Sequence, residues 1–457
     1  MTMTNGTFDC RSYDLKSYAC SILRNRVERF STVYACCFVT AAEAALAAGV
    51  VDTAVEGQPA TDMLLTSNSI GELRLHRLSD LVQRWTAAAA AAAPQSPEAA
   101  CCCSWAAHQG AAYCLAKATS GSDVLIISGG DDGYVRGWRL ADVLRHVQQP
   151  AARGQQQNGG GGGAQQQPQQ QPGVAVSEPA AGGASAAGPG PAACLAVRLP
   201  RAESALAASS LPPAVQALAT GTGSGGNPVV FVGCSDGGVH CLDLTHGSVV
   251  QSSGPGHVAA VLAMDHHGPT SCLATGSEDG TVRLWDSRTG PGAGSGGGGG
   301  RCVRVLDTAA GREVPGGGAE ALRCLRNPPV SCLRFEPSGS WLLCGHGAGG
   351  GGGGSLSMWN LGMAQRARQV SSSFAPQAMA VQPAEVLVVG SEPALSRYSL
   401  ALEGPSQQQP LATRSVFALD VHPTSGAVAV GGVGASLELL SKYGKKTGGA
   451  AFVSDED

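Results

Sequence analysis

Charge is scarce in this sequence. Only 14% of its 457 residues are Asp, Glu, Lys or Arg, against about 25% in an average soluble domain. Lys and Arg number 30 against 34 Asp and Glu, a formal net charge of −4. No basic surface therefore marks the chain as a direct nucleic-acid binder. The one basic cluster, Lys442, Lys445 and Lys446, reads as a solvated loop beside the acidic tail Asp455-Glu456-Asp457, with a weak nuclear import signal as the alternative. Long apolar runs are also missing. The longest, around Val39 to Val51 and Ala87 to Ala93, are too short to cross a bilayer, and the first 20 residues are polar and mixed rather than signal-like. A soluble intracellular chain without membrane contact is expected. Cysteine is plentiful, at 16 residues, but no CxxC pair occurs. Zinc sites need two such closely spaced pairs. Reduced thiols in a cytosolic or nuclear protein are the expectation, with Cys234, Cys241, Cys272, Cys332 and Cys344 acting as small hydrophobes in strands. Gly296 to Gly300 lack the Lys-Ser/Thr ending of a phosphate loop, and His266-His267, with no partner at metal spacing, reads as a surface turn. No metal and no cofactor is expected.

What the sequence does contain is a repeat. Gly129-Gly130-Asp131-Asp132-Gly133-Tyr134-Val135-Arg136-Gly137-Trp138 aligns without gaps on Gly233 to Leu242 and on Gly276 to Trp285. Asp236 and Asp279 stand 43 residues apart. Each segment is an apolar strand, an Asp-Gly turn and a second apolar strand. A two-residue hairpin is expected there, with both central residues at positive φ. Val330 to Gly339 resembles Val416 to Gly426, with Pro337 and Pro423 86 residues apart, or two periods. The period is that of WD-type repeats, which imply an all-β, seven-bladed β-propeller. The units lie at about 31–82, 105–149, 194–252, 257–310, 328–370, 374–403 and 414–453. Residues 1–30 form an N-terminal segment and 454–457 an acidic tail. Pairing of terminal segments, residues 7–15 or 449–453, is expected to close the circle and remove the free sheet edges.

Low-complexity segments at 87–103, 151–193, 291–300 and 348–354 account for much of the Gly, Ala and Gln. They cannot build a core, and they are expected at turns or unit junctions rather than within strands. Loop insertions are tolerated there, since each doubling of loop length costs only about 0.6 kcal/mol.

Two units carry residues that look chemical. His257, Thr275, Asp279 and Trp285 form one set, and His108, Ser128, Asp132 and Trp138 a second. The order matches the hydrogen-bonded Asp–His–Ser/Thr–Trp chain of WD-type repeats. A catalytic triad would occur once, whereas this set recurs by unit and ends on an indole donor, so a structural tetrad is expected and no catalytic residue. Arg74, Arg136 and Arg283 share a position after the turn and read as an exposed strand site rather than a basic stripe. Trp285-Asp286-Ser287-Arg288 resembles the WDxR box by which substrate receptors of cullin-RING ubiquitin ligases meet their adaptor, with Arg288 exposed.

Three stretches resemble the THO complex subunit 6 family in its plant and algal form. They are Trp105 to His108 with Gly130 to Leu144, then Val261 to Arg288, and finally Val416 to Pro423 through Gly431-Gly432 to Leu437–Gly444. The resemblance implies a non-catalytic scaffold in the nucleus, an accessory subunit of the THO/TREX assembly acting in mRNA processing and export. Its partners would be other THO/TREX subunits, with mRNA met indirectly through the complex. A cullin-RING ligase adaptor, engaged by Trp285, Asp286 and Arg288, is the alternative. The sequence departs from the family in its long insertions and in a poorly matching first unit, around Thr40 to Thr61.

Overall fold

Alternating apolar strands and Gly-containing turns build a structure made almost wholly of antiparallel sheet. The computed structural model describes residues 31–47, 61–83, 101–121, 123–148, 190–200, 212–223, 226–252, 256–288, 302–314, 327–347 and 353–450. The first sheet holds β1 (Val33–Val39), β2 (Met63–Asn68), β3 (Glu72–Arg77) and β4 (Cys101–Ala106) in that spatial order. The second holds β5 (Ala112–Ser120), β6 (Asp123–Gly130), β7 (Tyr134–Arg139) and β8 (Leu195–Arg198). The third holds β9 (Val215–Thr222), β10 (Pro228–Cys234), β11 (Val239–Asp243) and β12 (Ser248–Ser252). A nine-stranded sheet follows. Its first half is β13 (Val261–His267), β14 (Cys272–Ser277), β15 (Thr281–Asp286) and β16 (Cys302–Asp307), and its second half is β18 (Val330–Phe335), β19 (Trp341–His346), β20 (Gly354–Asn360) and β21 (Gln365–Ser372). The two-residue β17 (Arg312–Glu313) joins the halves edge to edge, from β16 to β21. The last two sheets are β22 (Pro376–Val381), β23 (Glu385–Gly390), β24 (Ala394–Ser399), β25 (Pro405–Pro410), and β26 (Val416–Val421), β27 (Val428–Gly432), β28 (Leu437–Leu440), β29 (Lys446–Ala450). The first strands pack side by side in a closed cycle, β1–β5–β9–β13–β18–β22–β26 and back to β1.

The second strand of each array is buried on both faces, which explains its unbroken apolar run. In β23, Val386 and Val388 pack toward Leu343, Leu356 and Tyr398, while Leu387 and Val389 pack toward Val416, Val428 and Val430. The two-residue period sends alternate side chains to opposite neighbours. Each such aliphatic side chain contributes about 1.5–3 kcal/mol on burial. Every first strand also carries a one-residue bulge just inside its start, as between Val33 and Ala35 or Ala112 and Cys114. The bulged residues are Tyr34, Tyr113, Gln216, Leu262, Ser331, Gln377 and Phe417.

The turns differ from the two-residue hairpin read from the sequence. Gly280 N–H donates to Ser277 O at 3.1 Å, and Gly133, Gly237 and Gly71 repeat that bond. Only the glycines have positive φ, +73 at Gly133, +83 at Gly237 and +75 at Gly280. This is a type I turn followed by a left-handed glycine. The Asp keeps a right-handed backbone, and its carboxylate accepts the amide two residues on: Asp279 from Thr281 at 2.9 Å, Asp132 from Tyr134 at 3.2 Å and Asp236 from Gly238 at 3.0 Å.

Several unit boundaries also differ. Cys101–Cys103, read as the end of a low-complexity insertion, begin β4 and pair with β3. Leu195–Arg198 close the second sheet rather than open the third. Pro405–Pro410, beyond the boundary read at 403, form β25, and Gly354 opens β20. The cause is shared. A fourth strand needs only backbone bonds to the third, and its side chains stay largely in solvent, as in β25 and β8. No apolar period marks it. Residues 87–100, 151–193 and 291–300 therefore all lie between a third and a fourth strand, inside an array.

Residues 7–15 lie outside the described residues, and Lys446–Ala450 pair within their own array. The first and last arrays meet otherwise. Phe38 N–H donates to Asp420 Oδ2 at 2.7 Å, Thr32 pairs with Val433, and Phe38, Leu64 and Leu81 share a core with Ala429, Leu437 and Leu439. Short helical segments lie on one side, among them α1 (Ala41–Ala47), after β1, and α2 (Leu140–Gln148), after β7. A capping box starts α1. Thr40 N–H donates to Glu43 Oε2 at 2.8 Å, and Glu43 N–H returns to Thr40 Oγ1 at 3.2 Å. Among the described residues no helix is long and apolar enough to cross a membrane.

Candidate functional site

The set in the first half of the nine-stranded sheet comes together in full. His257 Nδ1 lies 3.0 Å from Asp279 Oδ2, and its Nε2 lies 2.7 Å from Thr275 Oγ1. The Trp285 indole N–H donates to the same hydroxyl at 2.9 Å. Thr281 Oγ1 adds a bond to Asp279 Oδ1 at 2.6 Å. His257, Thr275 and Asp279 are 1%, 0% and 0% exposed. Burial pushes the His257 pKa down, while hydrogen bonds and the nearby imidazole hold the Asp279 carboxyl well below the usual range. A neutral imidazole thus bridges a carboxylate and a hydroxyl. The hydroxyl is sealed from any substrate.

The second set is shorter. His108 Nδ1 meets Asp132 Oδ1 at 2.9 Å and its Nε2 meets Ser128 Oγ at 2.7 Å. Burial pushes His108 down, and His108 with Arg136 holds Asp132 at about 2. Among the described residues no bond joins the Trp138 indole to Ser128. Trp138 instead packs edge-on against Trp105, at 5.8 Å and 67°.

Two related networks escape sequence reading. His346 Nε2 lies 2.6 Å from Ser357 Oγ, which also accepts the Trp359 indole N–H at 2.9 Å. Here the histidine ends the second strand instead of preceding the first, so the spacing signal is lost. In the last sheet Glu438 Oε1 accepts from the Thr413 hydroxyl at 3.0 Å, Thr413 meets Ser436 at 2.6 Å, and Lys446 Nζ lies 2.9 Å from Glu438 Oε2. Lys446 is therefore an ion-pair partner of a buried carboxylate, not merely a loop cation, while Lys442 Nζ lies 4.9 Å from the centre of the Tyr443 ring.

The arginines after the turns are not the exposed site expected. Arg283 is 4% exposed, Arg74 folds onto Glu72 at 2.9 Å, and Arg136 Nη1 onto Asp132 at 2.6 Å. His266 and His267 lie at the end of β13, bonded to Ser287 at 3.0 Å and Thr270 at 2.8 Å, rather than in a turn. Among the described residues no disulfide forms. Among the described residues no three His, Cys, Asp or Glu side chains group as metal ligands do.

Arg288 projects from the end of β15 with 70% of its side chain exposed. Its guanidinium grips Asp286 at both oxygens, Nε to Oδ1 and Nη2 to Oδ2, each at 3.0 Å. These bonds lower the Asp286 pKa. Trp285 is buried behind them.

Three segments, 99–139, 247–286 and 320–360, match the family described as WD domain, G-beta repeat. The chain is 26% identical over 388 residues to THO complex subunit 6 of Arabidopsis thaliana, covering 84% of this chain and 86% of that protein. It is 28% identical over 132 residues to the THO complex subunit 6 homolog of Danio rerio, covering 29% of this chain and 33% of that one. The likeness to the THO complex subunit 6 family read from the sequence is thus borne out over 84% of the chain.

Proposed function

We propose that this WD40-repeat chain, similar over most of its length to THO complex subunit 6, is a seven-bladed propeller and a non-catalytic scaffold. It serves as an accessory subunit of a nuclear THO/TREX assembly acting in mRNA processing and export. The observation that carries this reading is the extent of the likeness, 84% of this chain and 86% of the plant protein. At 388 residues it covers far more than one shared repeat. The blade count is supported by the cyclic packing of seven first strands, each heading four strands consecutive in the chain. A scaffold role is supported by the sealed Ser/Thr–His–Asp networks, which brace sheets and offer no nucleophile. The net charge of −4 favours meeting mRNA through partner subunits. Purification of the tagged full chain from nuclear extract, read by mass spectrometry, is expected to recover THO subunits. Recovery of none, with the tagged protein folded, overturns the reading.

A second reading is favoured by Arg288. Its exposed guanidinium, preset by Asp286, matches the adaptor contact of a cullin-RING substrate receptor. Arg288→Ala is expected to abolish adaptor capture and leave the melting temperature unchanged, since the residue is mostly in solvent. Undiminished capture rejects this use of the box.

A further inference from the structure

At three neighbouring positions around the cycle of first strands, the bulged residue is aromatic. The Tyr34 ring lies 5.6 Å from Phe417, edge-on at 74°, and 5.2 Å from Tyr113, tilted by 52°. All three are half-buried at one mouth of the cycle. Beside them, on the turn between β6 and β7, stand two carboxylates. Asp132 is consumed by His108 and Arg136. Asp131 is exposed, and its Oδ1 accepts a bond from the Tyr113 hydroxyl at 3.1 Å. Among the described residues it has no basic partner. Gly110, at φ +93, makes room for it: a Cβ there would sit 2.9 Å from Asp131 Oδ2. Burial and the Asp131 charge raise the Tyr34 and Tyr113 pKa values, that of Tyr113 to about 12, so both rings stay neutral. A cleft of about 740 Å³ starts at the same place, lined by Asp131, Tyr134, Arg136 and Arg198, and by Gln216, the bulged residue of β9. It leads outward between the second and third sheets.

We propose that this mouth and cleft form a docking site for a partner-protein segment carrying an arginine, its guanidinium held by Asp131 and the faces of Tyr34 and Tyr113. Aromatic faces are electronegative, and a free carboxylate beside them completes a site for a cation. A planar guanidinium stacks on such faces and hydrogen-bonds the carboxylate at its edge, which an ammonium cannot do in the same plane. Arg198, exposed on β8, is the second free charge of the cleft, so the segment carries an acidic residue beyond the arginine. A single-stranded RNA could stack on the same rings but would set its phosphates against Asp131. The site is independent of whether the partner is a THO subunit.

The test uses the full chain and a fluorescein-labelled heptapeptide, Gly-Ser-Arg-Gly-Glu-Ser-Gly, whose Arg and Glu charges cancel, with the same label on every control peptide. Fluorescence anisotropy is expected to show saturable binding, weakened about tenfold or more when citrulline replaces the arginine. Asp131→Asn keeps an acceptor for Tyr113 and is expected to weaken binding by about the same factor at unchanged melting temperature. Tyr34→Leu is expected to do likewise, and if it melts early, Asp131→Asn decides alone. Met363→Ser, exposed in the turn after the third strand β20, binds as the parent. No saturable binding, equal binding of the citrulline peptide, or indifference to Asp131→Asn overturns the proposal. Binding of a labelled oligouridine that Tyr34→Leu abolishes, without peptide binding, reassigns the mouth to RNA.

Discussion

His346 has one ring nitrogen satisfied and one buried without a partner. Its Nε2 meets Ser357, while among the described residues Nδ1 finds no partner. Burial, with the positive charge of Arg366 nearby, pushes its pKa down to about 4, from the ordinary 6.5. The unfolded chain therefore binds a proton at mildly acid pH that the folded chain refuses. Stability is lost as pH falls from about 6.5 to about 4, by roughly 3 kcal/mol for this residue. In His346→Gln, the loss of unfolding free energy between pH 7 and pH 4.5, measured by urea titration, is expected to shrink by roughly 2 kcal/mol relative to the parent. Equal losses in the two proteins contradict this account. His108, His240 and His257 act in the same direction, each pushed down mainly by burial. The His257 set was readable in advance because 22 residues from histidine to Asp279 is a spacing set by two strands and two turns. The His346 set was not, since its bonds run between adjacent strands, where many polar pairs occur by chance.

Elements differ in how much of themselves they write into the sequence. A second strand such as β23 is squeezed between two neighbouring sheets and must be apolar throughout. A first strand alternates, because one face looks toward the centre. A fourth strand such as β25, Pro-Ser-Gln-Gln-Gln-Pro, needs only backbone partners on β24. The three segments at 87–100, 151–193 and 291–300 all precede fourth strands, where a change of loop length leaves the sheet bonds in place. Replacing residues 152–187 with a short Gly-Ser linker cuts the loop by about two halvings, worth about 1 kcal/mol in favour of the fold. Differential scanning fluorimetry is expected to show a melting temperature unchanged or slightly raised. A clear fall would mean that the segment packs on the sheets.

The whole molecule closes without exchanging a strand among the described residues. Asp420 reaches from β26 to the Phe38 amide of β1, as Asp265 reaches from β13 to the Phe335 amide at 2.8 Å. One device therefore serves both a junction inside the chain and the junction between its ends. Closure sets each first strand beside its neighbours, while the fourth strands stay at the outer edges of their arrays. It also divides the surface. Loops after first and third strands leave one side, with α1, α2, Arg288 and three of the four insertions. Turns after second and fourth strands form the other side, with Asp131 and the aromatic mouth. A scaffold can then hold two partners at once, and purification of the intact chain is the measurement suited to this scale.

Residue order alone determined the repeat, the turn glycines, the tetrad around His257 and the near-neutral net charge. These are local or periodic properties, set by spacing along one strand pair and by side-chain chemistry. Tertiary structure decided which array each fourth strand joins, how the ends meet, and that Arg74, Arg136 and Arg283 fold inward. It also brought Tyr34, Tyr113, Asp131 and Phe417 to one mouth. Those outcomes depend on contacts between residues as far as 401 positions apart, such as Thr32 and Val433, and no local pattern records a partner that arrives only when the cycle closes.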